Sequence, residues 1–307
     1  MTDATATSQQ ANDAAASRAS VAKARVRTEL LSEQSTALLQ ELHLLTRDGH
    51  LNADARRKLK QINHFCTLLR PSLESVISNK EDVRIVDAGS GNAYLSFVLY
   101  EVFLARKETG HITGIETRAD LVKKCRERAG RLGFERMDFA HMPISNAVAA
   151  LAGGGDDTFA GGVDAVISLH ACDTATDDAI ILGLLADADV IAVVPCCQAE
   201  IFNLLKGRAD AGPFSPLWRT PFHRREFSAH LTNVIRYLVL EAAGYKVRAT
   251  ELVGWEHSAK NELLIARKHQ RRNPRAVRQL GRMLNRLPPL PMKLLASLHP
   301  TLAGNRQ

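Results

Sequence analysis

Asp87-Ala88-Gly89-Ser90-Gly91 is the stretch whose residue types and spacing come nearest to chemistry. Val83 to Val86 before it are mostly apolar strand formers, and the apolar run after Tyr94 reads as a helix, so the glycines mark a strand-to-helix turn. Without β-carbons, Gly89 and Gly91 allow positive φ and let a ligand come close to main-chain amides at a helix N-terminus. In the dinucleotide fingerprint a third small residue follows three positions after the second glycine. Tyr94 stands there, which disfavours a pyrophosphate. S-adenosylmethionine has no phosphate and carries a sulfonium, an amino-acid tail and a nucleoside; it suits a short glycine turn flanked by acids and is the expected cofactor. Asp87 precedes the turn. Glu116 closes the next strand, 25 residues beyond Gly91, where a carboxylate can accept hydrogen bonds from both ribose hydroxyls.

Two further strand ends are crowded with polar residues: Leu169-His170-Ala171-Cys172-Asp173-Thr174 through Asp177, and Val194-Pro195-Cys196-Cys197-Gln198. In a doubly wound sheet these turns are neighbours at the ligand edge. His170, Asp173 and Asp177 offer base and hydrogen-bond roles, although Asp173 or Thr174 also serves as a helix N-cap. The cysteines admit three readings: small core residues near the cofactor, a nucleophile drawn from Cys196 and Cys197, or ligands that join His170 and Cys172 around a soft metal such as zinc. No C-x-x-C pair supports the metal, and none is expected. His257 and Lys260-Asn261 either turn a hairpin or contact a phosphate or target base. Trp218, Arg219, Phe222, His223, Arg224, Arg225 and Phe227 interleave aromatic and basic side chains, as a surface that stacks bases and contacts phosphates would, or as an Arg-rich loop pinned by two core aromatics.

Alternating elements must position these residues. Expected strands at 83–88, 111–116, 136–140, 163–169 and 189–194 are separated by expected helices at 93–106, 118–132, 144–151 and 175–186. Val- and Ile-rich strands between helices argue for a parallel sheet covered on both faces, with ligands at the carboxyl ends. A polar, Pro-containing insertion around 207–226, a helix near 229–243 stopped by Gly244, and a strand pair at 245–253 and 262–268 follow. Upstream, Leu30, Leu31, Leu38, Leu39, Leu42 and Leu45 mark a first helix ended by Asp48-Gly49. Asn52 caps a second, which carries Leu59, Ile62, Phe65, Cys66 and Leu69 and which Pro71 stops; a third runs around Leu73, Val76 and Ile77. Residues 1–20 hold no large apolar side chain and read as a disordered tail, with a helical extension over 21–80 and a catalytic domain over 81–268.

The chain of 307 residues can bury one large core or two modest ones. Five cysteines, two of them adjacent, form no secreted framework, and no apolar run reaches membrane-spanning length, so the expectation is a cytoplasmic protein without a membrane partner. The net charge of +7 is segregated. After Glu262 there are ten Lys and Arg residues and no acid, which leaves the rest of the chain at −3. A basic C-terminal tail over 269–307 points to an anionic partner, nucleic acid first, or to a merely solubilising end.

Taken together, Asp87-Ala88-Gly89-Ser90-Gly91, Glu116, the His170-Ala171-Cys172-Asp173 turn, the Pro195-Cys196-Cys197-Gln198 turn and Glu256-His257-Ser258-Ala259-Lys260-Asn261 resemble, over about residues 55–270, a Rossmann-fold S-adenosylmethionine-dependent methyltransferase domain. Similar domains occur in bacterial methyltransferases, in eukaryotic methyltransferase-like proteins with a cysteine pair after the fifth strand, and more distantly in tRNA ribose 2'-O-methyltransferases. The resemblance implies an α/β, doubly wound seven-stranded sheet with its last strand antiparallel. It also implies that Asp87, Gly89 and Gly91 hold the amino-acid tail of the cofactor, Glu116 its ribose and Met142 its adenine; Tyr94 and Leu169 complete the expected contacts. Ala93 stands where many such enzymes have another glycine, the Asn-Pro-Pro-Tyr type of turn is absent, and no lysine tetrad for ribose methylation is evident. The expected function is methyl transfer to RNA, with His170, Asp173, Cys196 and Cys197 as catalytic candidates and RNA held by the basic tail and residues 218–227. A protein or small-molecule methyltransferase and a non-catalytic RNA-binding module are the alternatives; a nicotinamide oxidoreductase is disfavoured by Tyr94.

Overall fold

The computed structural model describes residues 29–153, 159, 161–169, 171–195, 198–208, 212–252 and 262–297. The expected disordered tail at 1–20 and most of the expected turn at 153–157 lie outside these residues. A short helix α1 (Thr36–Glu41) is capped by the Ser35 side chain, which accepts from Leu38 N at 3.1 Å. It is shorter than the leucine pattern suggested. Ser35 sets its start, and His43, at φ 54°, turns the chain out just past its end.

Helix α2 (Ala53–Asn79) begins where Asn52 was expected to cap it, the side chain accepting from Ala55 N at 2.7 Å. It does not stop at Pro71, so the expected second and third helices are one. Proline inside a helix costs about 3 kcal/mol. Burial of Leu69, Leu73, Val76 and Ile77 on one continuous stripe, at roughly 1.5–3 kcal/mol for each large side chain, outweighs it.

The sheet comprises β1 (Arg84–Ala88), β2 (His111–Glu116), β3 (Met137–His141), β4 (Ala165–Ser168), β5 (Val190–Val193), β6 (Tyr245–Glu251) and β7 (Glu262–Lys268). Their order is β3-β2-β1-β4-β5-β7-β6, with β7 antiparallel to both neighbours and the other pairings parallel. This is the expected doubly wound seven-stranded α/β sheet. Helix α3 (Tyr94–Leu99, continued by a π turn over Tyr100–Leu104) follows β1, α4 (Ala119–Leu132) follows β2, α5 (Ile144–Gly153) follows β3 and α6 (Thr174–Leu185) follows β4. Successive strand residues go to opposite cores. Ile85, Ala165, Ile167, Val190 and Ala192 pack with α2, α3 and α4, while Val86, Val166, Ile191 and Val193 pack on the other face. Burial on both faces is why these strands read as unbroken apolar runs.

After β5 come α7 (Ala199–Leu204), α8 (Pro216–Arg219) and a long α9 (Pro221–Ala242), then, beyond β7, α10 (Pro274–Leu284) and α11 (Lys293–Ser297). Helix α9 starts eight residues before the expected position near 229. Thr220 caps it and Pro221 occupies its first position, a combination that favours a helix start. In its first two turns the polar run His223-Arg224-Arg225-Glu226 interrupts the apolar period. Gly244 ends the helix at φ 96°, as expected. Residues 269–297, expected within a tail, hold two helices; Leu280 and Leu294 from them, with Met292 just before the second, are buried in the second core, and Ala276 is also buried. Among the described residues no helix is long and apolar enough to cross a membrane.

Candidate active site

The strand order reverses between β1 and β4, and a cavity of about 510 Å³ opens there, at the carboxyl ends of the strands. That size suits a cofactor-sized ligand. Gly89, Gly91, Tyr94, Glu116, Met142 and Leu169, all expected at the cofactor, line it. The turns after β1 and β4 touch: Ser168 Oγ donates to Ala88 O at 2.8 Å, and a β-carbon on Gly89 would lie 3.7 Å from that of Ala171.

The glycine turn takes the left-handed conformations anticipated for it, with φ of 79° at Gly89 and 57° at Gly91. Its amides are already used. Gly89 N and Ser90 N donate to Ile115 O at 3.0 and 2.9 Å, and Gly91 N donates to Glu116 Oε2 at 2.9 Å. A phosphate would find no donors among these three groups and would face the Glu116 carboxylate. What the turn offers is carbonyl and carboxylate oxygen, which fits a ligand with a sulfonium, an ammonium and ribose hydroxyls.

Glu116 is buried, which works to raise its carboxyl, but the Arg118 guanidinium, the Arg118 N–H and the Gly91 N–H hold it below the usual carboxylate range. Arg118 Nε lies 2.9 Å from Glu116 Oε1. Asp87 does not line the cavity. It lies beneath the turn and accepts from Ser96 Oγ. Burial pushes its carboxyl up to about 7; the Ser96 hydroxyl opposes the shift and the Glu116 charge adds to it. Cys66 and Cys125 are buried, with thiols pushed up to about 12 and about 11, so neither supplies a thiolate.

On the opposite wall, Ala171 and Cys172 line the cavity and Cys172 is exposed. Asp173 does not reach it. Its Oδ1 accepts from Ala199 N at 2.8 Å and Glu200 N at 3.2 Å, so it caps α7, the helix after β5, and makes no side-chain cap on its own helix α6. This ties the turns after β4 and β5 together, the juxtaposition expected from the sequence. Asp173 has φ 51° and ψ −118°, a conformation that costs a non-glycine residue about 1–3 kcal/mol. His170, Cys196 and Cys197, like Glu256, His257, Lys260 and Asn261, lie outside the described residues. Among the described residues no cluster of three or more His, Cys, Asp or Glu could hold a metal ion.

Trp218 is a core residue. Its Nε1 donates to Arg208 O at 2.8 Å and its ring packs on Phe227. Phe222, by contrast, is 62% exposed, with the Arg225 guanidinium 5.4 Å from its ring. Sequence reasoning missed Lys58 and Gln61 of α2, Arg118, and Asp178 of α6, all of which line the cavity. It also missed Arg236, a fully buried cation paired with Asp177 at 2.7 Å. A signal existed for Arg236, a lone Arg in the apolar run Leu231–Leu240.

Residues 57–203 match the model of a methyltransferase domain. No curated protein matches the chain. Among solved structures, the SAH-bound methyltransferase PaMTH1 of Podospora anserina is 17% identical, with 84% of this chain and 97% of that one covered and a TM-score of 0.44. An rRNA methylase of Streptococcus thermophilus is 14% identical over 62% of this chain and 89% of that one, at a TM-score of 0.38. The fibrillarin of Aeropyrum pernix with natively bound S-adenosylmethionine is 8% identical over 61% and 66%, at 0.37. Likenesses this low carry no argument about substrate.

Proposed function

We propose that this S-adenosylmethionine-dependent methyltransferase places its methyl group on RNA. The observation that carries the reading is a stripe of arginines on α10. Arg275, Arg278 and Arg282, with Arg286 just beyond the helix, are exposed and recur every three or four residues, on the side away from the buried Ala276 and Leu280. The stripe runs about 16 Å along the helix axis. None of the four pairs with an acid among the described residues, so the charge is not spent inside the fold. A rigid row of unpaired guanidinium groups suits a phosphate backbone. The same segment reaches the cavity rim: Lys293 Nζ lies 2.6 Å from Asp178, and Lys293 N donates to Glu200 at 2.8 Å. Phe222 adds an exposed aromatic, with the Arg225 guanidinium over its ring, although Arg225 also pairs with Glu226 at 3.0 Å. The resemblance to methyltransferase-like proteins with a cysteine pair after the fifth strand, and to tRNA ribose 2'-O-methyltransferases, supports the same substrate class.

In this reading Gly89, Gly91 and Tyr94 surround the amino-acid end of the cofactor with Asp87 beneath, Glu116 accepts from the ribose, and Met142 and Leu169 pack on the remainder. Bound S-adenosylmethionine supplies a methyl group already activated on a sulfonium. The chain has to align an attacking atom and, for acceptors that carry one, remove a proton. His170 is the candidate for the proton; Asp173, whose carboxylate caps α7, shapes the turn that bears it. Cys196 and Cys197 supply a thiolate only if the acceptor is a pyrimidine carbon, and their joint replacement by Ser decides that.

The test is transfer of tritiated methyl from S-adenosylmethionine to total RNA and to a protein extract in parallel. Label is expected in RNA. Label in protein alone overturns the reading.

A further inference from the structure

Arg236 lies in the middle of α9 with no exposed side-chain surface, at the centre of a polar network that contacts with a cofactor do not explain. Its Nε donates to Asp177 Oδ1 at 2.7 Å, its Nη2 to the Asp173 carbonyl at 2.8 Å and its Nη1 to Asn233 Oδ1 at 3.3 Å. Asn233 in turn accepts from Gln198 Nε2 at 3.4 Å and donates to Glu262 Oε2 at 2.7 Å, while Gln198 Nε2 also donates to Pro195 O at 3.2 Å. One guanidinium thus fixes the segments that follow β4 and β5 and the first residue of β7, all at the cavity edge of the sheet.

Stability alone does not ask for this arrangement, because apolar side chains of similar volume commonly replace a buried ion pair without loss. What they cannot do is grip a carbonyl. The Asp173 carbonyl belongs to the residue held at φ 51° and ψ −118°, and Cys172, the residue before it, lines the cavity. We infer that Arg236 is a positioning residue for methyl transfer: by holding Asp173 directly, and Gln198 through Asn233, it sets the wall of the cavity that faces the acceptor. The inference rests on methyl transfer by this chain and not on the acceptor being RNA.

Two variants test it. Arg236→Met with Asp177→Leu removes both charges together; Arg236→Lys keeps a charge but loses the fork. The double variant is expected to melt within about 4 °C of wild type. By calorimetry it is expected to bind S-adenosylhomocysteine within about twofold of wild type, since the Gly89–Glu116 wall is untouched. Methyl transfer to total RNA at saturating S-adenosylmethionine is expected to fall about 100-fold, the scale of an acceptor misplaced by an ångström. A second readout needs no acceptor. Saturating S-adenosylhomocysteine is expected to slow iodoacetamide alkylation of Cys172, read by peptide mass spectrometry, about tenfold in wild type and under about twofold in Arg236→Lys.

A folded double variant with wild-type transfer, or an Arg236→Lys variant with wild-type protection of Cys172, overturns the inference. If the double variant does not fold, the Arg236→Lys protection ratio decides alone. A wild type that labels no RNA, with protection lost only in Arg236→Lys, overturns the RNA reading and leaves the positioning role standing.

Discussion

On one side of the cavity, from Gly89 to Glu116, the wall is made of main chain. Three consecutive amides bond to Ile115 and Glu116, the residues that end the adjacent strand, and the Glu116 carboxylate is held by the Gly91 N–H and Arg118. On the other side, at Ala171 and Cys172, the wall is held from behind by Arg236 of α9, a helix some 60 residues further along the chain, which grips Asp177 and the Asp173 carbonyl. A wall built from local backbone geometry admits little variation and keeps one ligand in one pose. A wall built from side chains on a distant helix can be re-aimed by single substitutions and is suited to choosing an acceptor.

The largest effect should come from separating the two sides. Glu116→Ala unties Gly91 and, on the proposed function, removes the acceptor for the ribose hydroxyls. With hydrogen bonds to charged groups worth about 1.5–3 kcal/mol each, binding of S-adenosylmethionine by calorimetry is expected to weaken about 100-fold. Affinity within about threefold of wild type would detach Glu116 from the cofactor.

The same contrast explains what was legible in the sequence. The Gly89–Gly91 turn and Glu116 sit at fixed offsets from two strand ends, and such offsets survive in one dimension. So do the strands, whose burial on both faces leaves apolar runs. Arg236 meets the turn after β4, and Asn233 meets Gln198 and Glu262, only once α9 has packed, and no spacing announces that. Pro71 misled because its local cost is outweighed by a tertiary stripe, and the first turns of α9 because a polar run interrupts their apolar period. The helices over 274–284 and 293–297 were hidden by the positive charge of their exposed faces.

None of the arginines of the stripe lines the cavity, so the stripe should act on neither wall. Replacing Arg275, Arg278, Arg282 and Arg286 together by Ala is expected to leave cofactor binding unchanged. Affinity for single-stranded RNA should fall, and the slope of log K against log salt should drop by up to about 3, from about 0.7 per phosphate contact. An unchanged slope would make the stripe a solubilising surface.

Asp87 ties the cofactor side to pH. Its carboxyl moves from 3.8 to about 7 in the folded chain, through burial first. The folded state therefore holds the proton more tightly, and the stability this group contributes is full below pH 4 and lost as pH rises to about 7. A cationic ligand above the turn favours the ionised form. S-adenosylmethionine is expected to bind up to about tenfold more tightly at pH 8 than at pH 6, with release of a proton measurable by calorimetry in buffers of different ionisation enthalpy. Asp87→Asn should abolish both the pH dependence and the proton release. If they persist in that variant, another group carries them.

The smallest effect concerns Ala93, which stands where related turns carry glycine. It is fully buried and sits at φ 57° and ψ 25°, so the turn keeps its left-handed residue without the glycine. Ala93→Gly relieves about 1–2 kcal/mol of left-handed strain. Against that stand about 0.4–1 kcal/mol of added unfolded-state entropy and about 0.8 kcal/mol for the lost methyl burial. The terms nearly cancel, and the expected change in unfolding free energy by denaturant titration is within about 0.5 kcal/mol of zero. At Gly91, φ 57°, a β-carbon would meet only Arg118 and Glu116 atoms at 3.8 and 4.0 Å, so Gly91→Ala pays the strain and recovers only part of it as entropy. A main-chain wall should therefore tolerate Ala93→Gly and lose about 1 kcal/mol to Gly91→Ala. Equal losses in the two variants would mean that the Ala93 methyl group, and not the backbone, sets the turn.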